Sequence, residues 1–197
     1  MPGIQGPQGN TGNTGPTGGI GPTGPAGTAF STDSVRLAPE LGQPLSSGSF
    51  PTYSLKPGTN VPLSVLSFTK GQSIFFKFYP STYGASNPNI TVLIEWESAT
   101  GQTSGAVVWG AAMVAVAPAS ATNLETMSLA TQATVTQTVN GNAQGLNEAT
   151  ISISGSSLNS VTAGDMVWIQ LQRVNTGADT MTGGADMHFA IVSWPTT

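Results

Sequence analysis

The stretch ITVLIEWE, residues 90–97, alternates apolar and polar side chains along most of its length. Successive side chains of a strand point to opposite faces, so an alternation with period two predicts a half-buried strand rather than a helix. The apolar set that shares one face is Ile90, Val92, Ile94 and Trp96. Glu95 and Glu97 are then expected on the opposite face, away from the core.

The same alternation recurs along the chain, with turn residues between the repeats. Strands are predicted at 61–68, 73–79, 90–97, 105–117, 132–139, 148–154, 166–174 and 186–194. Eight strands with weak helix signals predict an all-β domain at residues 61–197, an eight-stranded antiparallel jelly-roll sandwich of two facing sheets. Residues 28–60 are rich in Ser, Pro, Gly and Thr, which predicts a connector with one strand.

The phase of two predicted strands decides which side chains enter the core. In the last strand, the alternation places Met187, Phe189 and Ile191 on one face. In the first strand, the alternation slips between Val65 and Leu66. One extra residue in a strand produces such a slip, so a β-bulge is predicted there.

Residues 106–116, AVVWGAAMVAV, are apolar or small on both faces. One face of an antiparallel strand normally meets water, so this strand needs a second cover. If another subunit supplies it, Val107, Trp109 and Met113 form a subunit interface. The alternative is a cover made by a loop of the same chain, and the sequence leaves both possibilities open.

The N-terminal 27 residues carry a strict glycine repeat. Glycine stands at every third position: Gly3, Gly6, Gly9, Gly12, Gly15, Gly18, Gly21, Gly24 and Gly27. Only glycine fits at the crowded axis of a collagen triple helix, so this period predicts a collagen-like segment at 1–27 and a homotrimer. A flexible Gly/Pro-rich linker is the alternative, although such linkers need no period. An outward stalk and an arm docked on another protein are both compatible with the repeat.

The composition limits the classes of partner. Only 7% of the 197 residues are charged and the net charge is −4, while the five Lys and Arg residues stand singly, so nucleic acid is not expected as a partner. The chain has no cysteine, which excludes disulfides and thiolate metal sites. No run approaches the roughly 20 apolar residues of a membrane helix, and neither a membrane partner nor a signal peptide is expected.

Few residues are suited to acid–base chemistry. His188 is the one histidine and lies in a predicted strand, where a lone histidine is more often structural. Glu95 and Glu97 lie on one side of their strand, and paired carboxylates can hydrolyse glycosides. Two glutamates on the outer face of one strand are more often simply solvated. We therefore predict no catalytic residue, no cofactor and no enzymatic activity.

Acidic residues in the C-terminal third raise the question of a metal site. Asp165, Arg173, Asp179 and Asp186 lie among Gly-rich turns, and aspartates in loops suit calcium. The D-x-D-x-D-G spacing is absent, however, and Arg173 would repel a cation. We predict no metal site and instead a structural ion pair that joins Arg173 to Asp179 and Asp186 and bridges the last two strands.

Three stretches carry a resemblance to a known family of proteins. They are IEWESATGQTSGAVVWGAAMVAV, LNEATISIS and AGDMVWIQLQRVNTGADTMTGGADMHFAIVSW. Together they cover roughly residues 90–194, and after a Gly-X-Y stalk they resemble a domain of tailed-bacteriophage virion structural proteins. The resemblance implies a trimeric jelly-roll knob of a head fibre, a capsid decoration (cement) protein or a tail appendage. It implies the major capsid protein or another virion protein as partner, assembly in the host cytoplasm, and no enzymatic residues.

Other functions remain compatible with the same sequence. A receptor-binding fibre tip would recognise host glycans through exposed loops such as 81–89, which contains Tyr83, or 139–147. A bacterial spore or cell-surface filament can also combine a collagen-like stalk with a jelly-roll head. A depolymerase is the least favoured alternative, because no acid–base constellation is evident.

Overall fold

The computed structural model describes residues 1–15, 31–45, 48–58, 60–84 and 89–196. Ten strands form within them: β1 (Ser31–Leu37), β2 (Thr52–Pro57), β3 (Pro62–Phe68), β4 (Ser73–Phe78), β5 (Ile90–Ser98), β6 (Ala106–Val116), β7 (Ala133–Thr138), β8 (Leu146–Ile153), β9 (Met166–Arg173) and β10 (Ala185–Thr196). The helical segments of this part of the chain are two short 3-10 turns, Pro39–Leu41 and Gly155–Leu158.

The strands form two antiparallel sheets, which confirms the predicted all-β class. Sheet A has the order β2-β3-β10-β5-β8, and β1 also pairs with β10. Sheet B has the order β4-β9-β6-β7. The pairing is nested, because β3 pairs with β10, β4 with β9, β5 with β8 and β6 with β7. The strands thus pair as the two arms of one long hairpin would.

The hydrophobic core contains side chains from both sheets. The Trp109 ring of sheet B lies 6.0 Å from the Trp96 ring and 5.2 Å from the Phe68 ring, both of sheet A. The interplanar angles of 64° and 81° are edge-to-face arrangements, which aromatic quadrupoles favour. This aromatic cluster therefore joins the two sheets.

The predicted connector contributes two strands rather than one. All eight predicted segments form strands, and β1 and β2 bring the total among the described residues to ten, so the expected count of eight was too low. Both additional strands belong to sheet A. Most of their residues are exposed, and such strands lack the apolar alternation from which the others were predicted.

The predicted phase of β10 is wrong beyond Met187. The register against β5 shifts between Met187 and Phe189, which marks a β-bulge or irregularity. Met187 and Ala190 enter the core, whereas Phe189 and Ile191 are half-buried and lie outside it. An extra residue reverses the alternation, so Phe189 and Ile191 point away from the face that Met187 occupies.

The bulge predicted in β3 is not present. The register between β2 and β3 runs without a shift past Val65 and Leu66. Leu66 belongs to the core, while Val65 lies outside the core cluster and is still fully buried. The slip in the sequence pattern therefore reflects a strand that is covered on both faces at this point.

The N-terminal segment stands clear of the sheets over residues 1–15. These residues form no strand or helix, and each one is exposed. A Cβ built on Gly3, Gly6, Gly9, Gly12 or Gly15 would meet no atom within 4 Å. The remaining repeat glycines, Gly18, Gly21, Gly24 and Gly27, lie outside the described residues.

Candidate functional site

A buried ion pair forms between Arg173, the last residue of β9, and Asp179 in the following loop. The guanidinium Nε donates to Asp179 Oδ2 at 2.9 Å, and Nη2 donates to Oδ1 at 2.8 Å. Both side chains are almost fully buried. The predicted pairing of Arg173 with Asp179 is therefore present as a bidentate contact.

The other donors of Arg173 hold the surrounding backbone. Nη2 donates to the carbonyl of Met181 at 2.6 Å, and Nη1 donates to the carbonyls of Gly183 and Phe68 at 2.5 and 3.3 Å. Asp179 also accepts from the backbone N–H of Val108 at 3.2 Å. A guanidinium with five donors engaged in this way cannot bind an external phosphate or carboxylate, so Arg173 has a structural role.

Asp186 does not join this pair, which corrects the sequence-based expectation. Its carboxylate instead contacts the ammonium of Lys56 in β2. The same ammonium contacts Glu97 of β5, which lies directly opposite Asp186 in the strand register. Like charges directly opposite each other destabilise a sheet, and a shared ammonium offsets that repulsion. We call Lys56, Glu97, Asp186 and His188 the carboxylate cluster.

The environment of Lys56 favours its charged form. Burial acts to lower the pKa of Lys56, but hydrogen bonds and charges of Asp186 and Glu97 outweigh burial and raise the pKa above 10.5. Asp186 and Glu97 are only 5% and 6% exposed. The cluster is thus a Lys side chain held between two nearly buried carboxylates.

Glu97 is not the solvated residue that its sequence position suggested. Its second carboxylate oxygen, Oε2, lies 3.5 Å from Nε2 of His188 in β10. Glu95 on the same side of β5 is half-buried and lines an adjoining groove, which His188 also lines. Of the two glutamates considered as a glycosidase pair, Glu97 is thus ion-paired with Lys56, whereas Glu95 lines the groove.

A groove of about 380 Å³ adjoins the carboxylate cluster. It is lined by apolar and polar side chains from several strands, among them Leu63, Glu95 and Leu146. Arg36 closes one side, with its guanidinium 4.0 Å from the ring centroid of Phe189. This cation–π contact orients Arg36, which is otherwise exposed.

Val107, Trp109 and Met113 do not form a subunit interface. All three are fully buried in the core between the sheets of a single chain. They therefore offer no surface to a second subunit, and the assignment made from the sequence is corrected. The apolar sequence of this strand alone could not show which of its two faces lies inside.

The outer face of β6 is covered by the same chain. Val108, Ala112 and Val114 point away from the core and are only 3–6% exposed. The segment after β6 folds back over this face, because the Gln132 side chain lies against Gly110, where an added Cβ would meet its amide carbon at 2.5 Å. The loop explanation, and not the second subunit, thus accounts for a strand that is apolar on both faces.

Two adjoining cavities of about 370 and 410 Å³ form an apolar groove on the outside of sheet B. Leu124 and Trp168 line both of them. Tyr79 and Met166 at one end are 58% and 43% exposed. We call this surface, defined by Tyr79, Leu124, Met166 and Trp168, the aromatic groove.

The two loops proposed for glycan recognition differ in exposure, because residues 140–144 and Leu146 are exposed whereas Tyr83 is not. Tyr83 is half-buried and packs against the core, and burial raises its pKa. In the other loop, Asn147 Oδ1 accepts from the backbone N–H of Asn140 at 2.8 Å, and the Asn140 amide donates to the carbonyl of Leu146 at 2.7 Å. These asparagines stabilise their own turn. Residues 85–88 lie outside the described residues.

The described residues contain neither a group of metal ligands nor a helix that could span a membrane. Among the described residues, no three His, Cys, Asp or Glu side chains are grouped so as to hold a metal ion. Asp165 instead accepts from the backbone N–H and the hydroxyl of Thr162 at 2.8 and 3.1 Å. None of the helical segments in this part of the chain has the length and hydrophobicity needed to cross a bilayer.

Comparisons with known proteins give no family. No protein-family model matches the sequence, and no curated protein matches it. Among solved structures, the chain is similar to a Stig cyclase from Fischerella sp. TAU, with 8% sequence identity and a TM-score of 0.32 over 89% of this chain and 81% of the cyclase chain. A similarity at that level carries no argument about activity.

Proposed function

We propose that the two sheets form a jelly roll. In that fold a long antiparallel hairpin rolls up so that its successive strand pairs alternate between two facing sheets. The nested pairs support this interpretation: β3 with β10 and β5 with β8 lie in sheet A, whereas β4 with β9 and β6 with β7 lie in sheet B.

We further propose that residues 1–27 form a collagen-like triple helix and hold three copies of the chain together. The observation that carries this proposal is the unbroken glycine period from residue 3 to residue 27, in front of a β domain that leaves residues 1–15 exposed. A single Gly-X-Y strand has no internal hydrogen bonds, and two further strands supply the missing partners.

The function proposed on this basis is that of a non-enzymatic structural protein of a tailed bacteriophage, a trimeric capsid decoration or head-fibre protein bound to the major capsid protein. A trimer can match three-fold or quasi-three-fold positions of a capsid. The low content of charged residues also suits a particle exposed to varied salt, because neutral polar contacts are little affected by screening.

Co-sedimentation with phage heads tests this function. We expect the full chain to bind empty heads saturably, with a copy number set by capsid symmetry. A variant that lacks residues 1–27 should keep its β-sheet circular dichroism and bind heads poorly. Absence of head binding by the full chain, or full occupancy by the shortened one, would contradict the proposal.

The aromatic groove favours a second candidate function, a fibre tip that recognises host glycans. Aromatic side chains beside an open cavity present flat apolar faces, against which sugar rings can pack. Tyr79 and Trp168 supply such faces, whereas Tyr83 is packed against the core. Binding to a glycan array that is lost in Tyr79→Ala and kept in Tyr83→Phe would establish this alternative, and binding to no glycan would exclude it for the sugars tested.

A further inference from the structure

The carboxylate cluster brings a primary amine into contact with two carboxyl groups. Lys56 Nζ lies within hydrogen-bond distance of Asp186 Oδ2 and of Glu97 Oε1. The three residues come from different strands, β2, β5 and β10. Glu97 and Asp186 are 41 and 130 residues from Lys56 in the sequence. The folded chain thus holds an amine against carboxyl groups that would rarely meet it in the unfolded state.

This arrangement retains three formal charges at a place where the carboxylates are almost buried. Removing charged groups from water is costly even when they are paired. Joining the amine to one carboxyl group as an amide would remove two of the charges and leave one carboxylate. We propose that Lys56 and Asp186 condense spontaneously to an intramolecular isopeptide bond, with Glu97 as the group that carries the proton.

The chemistry balances without an additional reactant. The Lys56 ammonium gives a proton to the Glu97 carboxylate, and the free amine then attacks Cγ of Asp186. A C–N bond forms and one C–O bond of the Asp186 carboxyl group breaks. That oxygen leaves as water with the two protons that the nitrogen has lost, and Glu97 returns to its carboxylate form. An ammonium and a carboxylate thus become an amide and one water, with no change of oxidation state.

The contacts assign the two carboxyl groups different roles. Glu97 contacts Lys56 through Oε1, while its other oxygen lies 3.5 Å from His188 Nε2. Glu97 is therefore held on both sides and can pass a proton without being consumed. Lys56 contacts Asp186 through Oδ2, and Asp186 supplies the carboxyl carbon that the amine attacks. Fixed proximity of this kind replaces a bimolecular encounter and favours the reaction.

The mass of the intact full-length chain tests the proposal directly. After folding, denatured wild-type protein should be lighter than its composition requires by the mass of one water. Tandem mass spectrometry of a protease digest should place the link between Lys56 and Asp186. A wild-type chain of full mass after prolonged incubation, or a link between other residues, would overturn the inference whatever the variants do.

Variants separate the roles of the residues. Lys56→Arg keeps the positive charge but should retain full mass, and Asp186→Ala should do the same. Glu97→Gln should cross-link roughly 100-fold more slowly or not at all, because removal of a general base commonly has that effect. Glu148→Gln, which alters an exposed carboxylate of β8, is the matched control and should behave as wild type. Water loss in Lys56→Arg, or wild-type rates in Glu97→Gln, would contradict the mechanism.

The inference does not depend on the proposed virion function. Circular dichroism of each variant would show that it retains the β fold, so that a missing link can be attributed to chemistry. A cross-linked chain that fails to bind phage heads would leave the isopeptide bond established and remove only the virion function.

Discussion

Replacement of Asp179 by alanine should destabilise the protein strongly. The substitution leaves the buried guanidinium of Arg173 with three carbonyl acceptors and no opposite charge at its bidentate position. Removing one partner of a buried ion pair costs about 3–5 kcal/mol of unfolding free energy. The backbone N–H of Val108 also loses an acceptor, which favours the upper part of that range.

For a domain of this size, a loss of 3–5 kcal/mol corresponds to a fall of about 6–20 °C in melting temperature. Thermal and urea denaturation, followed by circular dichroism at one protein concentration, measure both quantities. The double variant with Arg173→Met should lose less stability than the two single variants added together, because it buries no unpaired charge. A loss of less than about 1 kcal/mol of unfolding free energy in Asp179→Ala would refute the reasoning. Such a loss would be close to the effect of an ordinary surface substitution, which is usually within about 0.5 kcal/mol.

Three further predictions follow from other parts of the structure. Trp109→Ala should lower the unfolding free energy measured by urea denaturation by about 3–5 kcal/mol, because core packing is lost. An unchanged unfolding free energy together with a loss of trimer formation would restore the interface assignment. Burial raises the pKa of Tyr83 above its ordinary 10.0, so the stability due to its neutral phenol is present below pH 10 and disappears as the pH rises through the folded-state pKa. Tyr83→Phe should therefore lose less stability than wild type at alkaline pH. Identical profiles of stability against pH in the two proteins would argue against this role of Tyr83. Gly12→Val should lower the temperature at which the proposed trimer dissociates in light scattering, while the sheets remain folded. An equal effect of Thr11→Val would contradict a collagen-like axis.

Local sequence patterns predicted the secondary structure well where strands alternate cleanly. Ile90, Ile94 and Trp96 lie in the core as the opening stretch indicated. The same reasoning failed for Phe189, because a register irregularity in β10 changes the phase that alternation assumes. It also missed β1 and β2, whose exposed residues carry little apolar pattern.

Charged residues were harder to place than apolar ones. The partner of Arg173 is Asp179, only six residues away, and the sequence indicated it. Lys56 gave no signal of its own, because its partners Glu97 and Asp186 are distant in the chain. Their contact requires three strands of sheet A to assemble, and no local pattern records that event.

The sequence by itself determined the all-β class, the approximate positions of eight strands and the glycine period, since each is a repeat of two or three residues along the chain. Only the tertiary structure decided how the strands pair, that a loop of the same chain covers the outer face of β6, and that two carboxylates share one lysine. These features depend on contacts between residues far apart in the chain, whereas a periodic pattern reports only the face on which a side chain lies.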